Sequence, residues 1–202
     1  MDTKNGKDHH VTNLGSMLDG LIPLPPVGVD IPCSMYGANT PLKINILGRL
    51  TLDFKGGFTA AVRTSSTDGV VVEVQGFRVE ADTSPSTPGS GTLIALSKSD
   101  APTVPLSVLQ AVSSGGLEML LHLPLTVEVI DKATGETHAR LVTAPAKHAT
   151  LRAVDVQAFP PVNQLYTLLE PVQLYPADDS AAAGTELAGV LEGADFIVNQ
   201  SV

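Results

Sequence analysis

An antiparallel all-β fold, a β-sandwich or a β-barrel of about 8–10 strands with little helix, is predicted by three features of this sequence. Apolar and polar residues alternate with a period of two over several long stretches. Glycine and proline punctuate the chain throughout, and helical periodicity is almost absent. Parallel βαβ units are excluded, because they need helix-length crossovers between strands.

The clearest alternation runs from Leu42 to Phe54, where Leu42, Ile44, Ile46, Leu50, Leu52 and Phe54 share one face. This predicts a half-buried strand with a bend or bulge at Gly48, closed by a turn at Lys55-Gly56-Gly57 onto a return strand through Phe58, Ala60 and Val62. A second turn is expected at Ser65 to Gly69. After it, Val70, Val72 and Val74 alternate, and the phase slips by one residue across Gly76 to Phe77 and Val79, which is how a β-bulge reads in sequence. Ala81 to Gly91 reads as a Ser/Pro/Gly loop, and Thr92 to Ser97 as a short strand.

Ser107 to Val112 is expected to make about one helical turn within an irregular excursion. Leu117 to Asp131 reads as one long strand. Pro124 cannot donate to a ladder and so predicts an edge or a bulge there. The Asp131 to Glu136 turn leads to a strand at Thr137 to Thr143, and a register of Val127 beside Leu141 would set Glu128 against His138 or Arg140. Further strands are expected at His148 to Phe159, at Leu165 to Tyr175 with Pro171 breaking its middle, and at Leu187 to Val198 around Gly193. A loop is expected at Asp178 to Gly184.

Length and composition bound the rest. The 202 residues, 43% hydrophobic and 16% charged, suit one sizeable domain with a core. The expected organisation is a flexible polar arm over 1–20 and a single all-β domain over 21–202. A net charge of −9 with no basic cluster and 4% aromatics argues against nucleic acid and anionic membrane surfaces as partners. One cysteine, Cys33, rules out an intrachain disulfide and a thiolate metal cluster. No secretory signal precedes the first strand, so a cytoplasmic location is expected.

No motif fixes a reaction. A phosphate loop, a dinucleotide fingerprint, H-E-x-x-H, an acidic calcium loop and a G-x-S-x-G elbow are all missing, and no cofactor is expected. His122, His138 and His148 fall in three consecutive predicted strands, with Asp155 in the strand of His148. Seven residues separate His148 from Asp155, an odd number that puts them on opposite faces and argues against a facial metal triad. No metal site is therefore expected. Arg140 and Arg152 lie inside strands, where a guanidinium either pairs with Glu128 or Asp155 or meets a ligand. Cys33 has no adjacent cation to lower its pKa and reads as a small hydrophobe.

If the polar strand faces look into a lumen, the ligand-binding residues are His122, His138, Arg140, Arg152, Tyr166 and Tyr36. The first functional expectation is an apolar small-molecule ligand, with a cofactor-independent cyclase or isomerase activity arising from holding it in a reactive conformer. The second is a non-catalytic structural or protein-interaction module, associating through strand edges into a homo-oligomer or through the Pro-rich segment Leu21 to Pro32.

Overall fold

The structure is a computed structural model that describes residues 27–66, 69–84, 91–99, 105–112, 116–144, 146–177 and 186–199. Its strands are β1 (Asp30–Ile44), β2 (Gly48–Ser66), β3 (Gly69–Asp82), β4 (Thr92–Lys98), β5 (Ser107–Ala111), β6 (Leu117–Leu123) and β7 (Leu125–Asp131). They continue with β8 (Thr137–Thr143), β9 (Ala149–Val154), β10 (Gln164–Leu168), β11 (Val172–Pro176), β12 (Gly189–Leu191) and β13 (Asp195–Val198). All thirteen are antiparallel members of one ring-like sheet, with no helix among the described residues.

The pairing order resolves into a simple plan. One closed circuit runs β1-β2-β3-β4-β7-β8-β11-β12 and returns to β1; a second runs β1-β2-β3-β5-β6-β9-β10-β13 and also returns to β1. The long strands β1, β2 and β3 belong to both. Elsewhere the two circuits are built from strands consecutive in the chain: β4 then β5, β6 then β7, β8 then β9, β10 then β11, β12 then β13. The fold is thus an eight-segment antiparallel meander closed on itself, with five segments interrupted midway. Each described strand has hydrogen-bonded neighbours on both sides, so no described strand presents a wholly open edge.

Local chemistry explains the uninterrupted segments. The turn between β1 and β2 is Asn45 to Leu47, closed by Leu47 N–H donating to the Ile44 carbonyl at 3.0 Å, with Gly48 at φ +81°. The expected turn at Lys55-Gly56-Gly57 is corrected: β2 runs straight through it, with Gly56 opposite both Met35 and Val79. A three-residue turn keeps Ile44 and Gly48 in the same parity, so the alternation passes through it unchanged and hides it. The second hairpin is in place, with Ser66 paired to Gly69, although residues 67–68 lie outside the described residues. The phase slip at Gly76 is also in place: Gly76 (φ +58°) and Phe77 stand opposite the single residue Phe58.

Three other expectations are corrected. Ser107 to Val112 makes no helical turn; β5 takes Ser107–Ala111 and hydrogen-bonds to both β3 and β6. Its buried Ser107 and Leu109 lie two apart, and ladder bonding on both sides outweighs the weak helical preference of so short a run. Leu117 to Asp131 is two strands, because Pro124 ends the ladder: β6 pairs with β5 and β9, and β7 with β4 and β8. The strand expected over His148 to Phe159 is shorter, β9 ending at Val154 before Asp155 enters the left-handed region at φ 53°. Pro171 does break its segment into β10 and β11, and Val127 does pair with Leu141, putting Glu128 opposite Arg140. The expected polar arm over 1–20, most of the loop at Ala81 to Gly91 and the loop at Asp178 to Gly184 lie outside the described residues.

Inside the ring, one apolar cluster spans both circuits, with Phe54, Leu96, Met119, Leu121, Tyr166 and Phe196 among its deepest side chains. Thr40 Oγ1, on a residue 1% exposed just beyond the register shift between Gly37 and Thr40, has no hydrogen-bond partner among the described residues. Thr40→Val keeps the shape and removes that hydroxyl. It is expected to stabilise the protein by about 1 kcal/mol, read as a higher urea midpoint at unchanged m-value; a lower midpoint would show that the hydroxyl is satisfied in solution.

Candidate functional site

Where the five interrupted segments break, the wall of the ring has a waist. On one side the waist is crossed by the long strands. At the far side, β8 and β9 lie four pairings from β2 in either direction around their circuits. There two neighbouring breaks fall side by side, residues 144–148 between β8 and β9 and residues 169–171 between β10 and β11. The ladder is β8 with β11 above (Thr143 opposite Leu174) and β9 with β10 below (Leu151 opposite Leu168). Between them a single backbone bond, Leu169 N–H to the Thr150 carbonyl at 3.0 Å, ties the breaks together.

The interruption opens a cleft of about 420 Å³. One wall carries Lys147, His148 and Thr150; the other carries Glu170, Gln173 and Tyr175, with Leu169, Pro171 and Val172 supplying apolar surface. The turn that sets Lys147 and His148 in place is closed by Lys147 N–H donating to the Ala144 carbonyl at 2.9 Å, with Ala146 at φ 60°. Tyr175 donates its hydroxyl to Gln173 Oε1 at 2.8 Å. Neither Lys147 nor Glu170 is in an ion pair among the described residues.

Behind this wall lies His122, on the outer face of β6 yet only 8% exposed, because the β8–β9 connection covers it. Its Nδ1 is 3.1 Å from Thr150 Oγ1, its register partner on β9, and its ring meets His148 edge-on with centroids 4.8 Å apart. Its backbone N–H donates to the buried hydroxyl of Ser107 at 3.0 Å. Burial first, and the neighbouring His148 second, hold the His122 pKa below its ordinary value, so this imidazole is neutral at physiological pH. No group of three or more metal-ligating side chains converges among the described residues.

The residues named from sequence are not gathered into one place. His122 sits behind the cleft. His138 is an exposed outer-face residue 3.6 Å from Asp131, and Arg140 reaches Glu128 at 3.8 Å on the same face. Arg152 is engaged by Glu118 at 2.8 Å, a carboxylate that also accepts from Gln110 at 2.8 Å. Tyr36 lies on the outer face of β1 with the Lys55 amine 5.8 Å from its ring centre. Tyr166 is a core residue, 1% exposed, its phenol pushed well above its ordinary pKa chiefly by burial. Cys33 is itself buried, and burial raises its pKa against a smaller opposing effect of the Asn199 side chain, so it stays a thiol.

Thr150, Lys147, Glu170, Gln173 and Tyr175 were not singled out by pattern. The one sequence signal for them is that Pro145 and Pro171 punctuate two successive segments at comparable depth.

Fold and cleft together define a class, a closed antiparallel meander with a polar notch at its waist. No family model matches this chain, and no curated protein matches its sequence. Among solved structures it is similar in fold to DynF from the dynemicin biosynthesis pathway of Micromonospora chersina, with a TM-score of 0.60 at 12% identity over 89% of this chain and 82% of that one.

Proposed function

We propose that this protein binds a small metabolite in the waist cleft, one with an apolar body and a hydrogen-bonding oxygen function, and that holding it there promotes a cofactor-independent isomerisation or cyclisation. The observation that carries this reading is the convergence of an imidazole, a hydroxyl, an amide and two opposite charges on an opening of about 420 Å³ with apolar flanks. That size and mixture match small-molecule sites in general. The likeness in fold to a protein of a small-molecule biosynthesis pathway is consistent with it. Confining a flexible substrate in a reactive conformer is itself a source of rate, with no cofactor required.

The test is a thermal-shift screen against a panel of apolar metabolites that includes enolisable ketones. A ligand at one hundred times its Kd is expected to add roughly 2.7 kcal/mol, or about 5–10 °C in Tm for a chain of this size. Gln173→Trp, on an exposed β11 position that lines the cleft, is expected to abolish the shift by filling it. Arg63→Ala, on β2 at the opposite side of the ring, is expected to leave the shift intact. No shift across the panel, or a shift untouched by Gln173→Trp, overturns the reading.

A further inference from the structure

The imidazole pair at the cleft has a geometry that binding alone does not require. His148 lines the opening, and neither of its ring nitrogens hydrogen-bonds to a described residue. Thr150 also lines it, with its Oγ1 held by the buried ring behind. In the tautomer with the proton on Nδ1, His122 donates to Thr150 Oγ1 and leaves the threonine hydroxyl proton free to point into the cleft. A proton acceptor and a polarised hydrogen-bond donor then face the same space from positions two apart at the entry to β9.

We infer that the cleft is a proton-transfer site for carbonyl compounds bearing an acidic α-hydrogen, with His148 as the general base, Thr150 as the donor to the carbonyl oxygen and His122 as the positioning residue behind it. This deepens the small-molecule reading above and rests on it. In the step, the α C–H bond breaks, its proton passes to a ring nitrogen of His148, and its electron pair forms the enolate C=C while the carbonyl becomes the oxyanion. Thr150 donates to that oxyanion as charge develops, where a preplaced donor has its largest effect. Return of the proton from His148 to the far end of a conjugated enolate, on the same face, gives the isomer. Atoms and electrons balance without an oxidant, a metal or a second substrate.

The neutral state of His122 suits its place. A neutral imidazole can donate through Thr150 without fixing a cation beside His148, whose protonated form arises during the step. Around His122 the titratable and charged groups are few: His148 from the β8–β9 connection, Lys147 and Glu170 on the cleft walls, and the Glu118–Arg152 pair further along β6 and β9. β5 contributes the Ser107 hydroxyl, which accepts from the His122 backbone N–H.

The experiment is α-hydrogen exchange of α-tetralone in D2O at neutral pD, followed by loss of its C2 methylene signal in proton NMR. Wild-type protein is expected to accelerate exchange above buffer, and His148→Gln to reduce that acceleration by about 100-fold or more, the usual worth of a general base. Thr150→Val is expected to lose about 100-fold while keeping the thermal shift given by the ketone. His122→Gln is expected to change the pH profile of exchange, which a merely structural role would not do. Absence of acceleration by wild-type protein, or an equal rate in His148→Gln, overturns the inference. If other members of the panel shift the melting temperature while α-tetralone undergoes no accelerated exchange, this inference falls and the small-molecule reading stands. If nothing in the panel shifts it, both fall.

Discussion

Gly56→Ala is expected to destabilise the protein by about 3 kcal/mol or more, the upper end of what overpacking costs. Gly56 lies mid-strand in β2, with Met35 on one side and Val79 on the other. A Cβ there would stand 2.0 Å from the Arg78 carbonyl oxygen and 2.8 Å from Val79 Cα, both backbone atoms that no rotamer change can move. Its neighbour Gly57 has the same problem against the Cys33 carbonyl at 2.3 Å. Relief requires β3 to draw away from β2 beside the Gly76–Phe77 bulge, where the ladder is already interrupted. Against a total of roughly 5–15 kcal/mol, such a loss is large. Gly48→Ala is the control: its Cβ would meet nothing within 4 Å, and only its φ of +81° penalises the side chain, an effect of about 1–2 kcal/mol. Urea unfolding of the two variants orders them. A Gly56→Ala protein within ~1 kcal/mol of wild type would show that the long strands are not in close contact at the waist.

Phe196→Ala is expected to cost about 3–5 kcal/mol, as large buried aromatic truncations do. Phe196 is 2% exposed on β13 and stands directly opposite Gly37 of β1. Its ring covers the glycine so closely that a Cβ at position 37 would lie 2.6 Å from Phe196 Cδ1 and Cε1. The pair therefore predicts coupling as well as cost. Gly37→Ala destabilises the wild-type protein, and in the Phe196→Ala background its added methyl occupies part of the emptied space. The double variant should be more stable than the sum of the two losses predicts, by roughly 0.5–3 kcal/mol, the range for residues in contact. Strict additivity in a double-mutant cycle would refute the contact.

Both predictions concern the waist, which was the least legible part of the chain. The strand faces were readable because burial on one side enforces a period of two, as at Leu42 and Ile44 in β1 and at Ala149, Leu151 and Ala153 in β9. That same period concealed the breaks. Leu123 and Leu125 stay in phase across Pro124, as do Leu168 and Val172 across Pro171, so a segment cut in two still reads as one strand. The role of Gly56 and Gly57 was illegible for another reason. Consecutive glycines usually signal a turn, whereas here the space for a side chain is taken by backbone from strands that are neighbours only in the folded sheet.

The candidate site divides in the same way. The register set Glu128 against His138 or Arg140, of which the structure takes Arg140, and His122 stood out as a polar residue in an apolar strand. The cleft around it draws His148 from one break, Thr150 from the start of β9 and Glu170 from a second break, and no local pattern says that those breaks adjoin.

Alternation and the placing of prolines therefore determined, from sequence alone, an antiparallel all-β fold and most of its strands. These are local consequences of burying one face of a strand. Tertiary structure decided that the sheet closes, that its breaks align into a waist, and that the β8–β9 connection covers His122 on an outer face. Closure and alignment depend on contacts between residues a hundred or more positions apart, such as Ile44 with Gly189, and a local pattern carries no information about which distant strand will arrive.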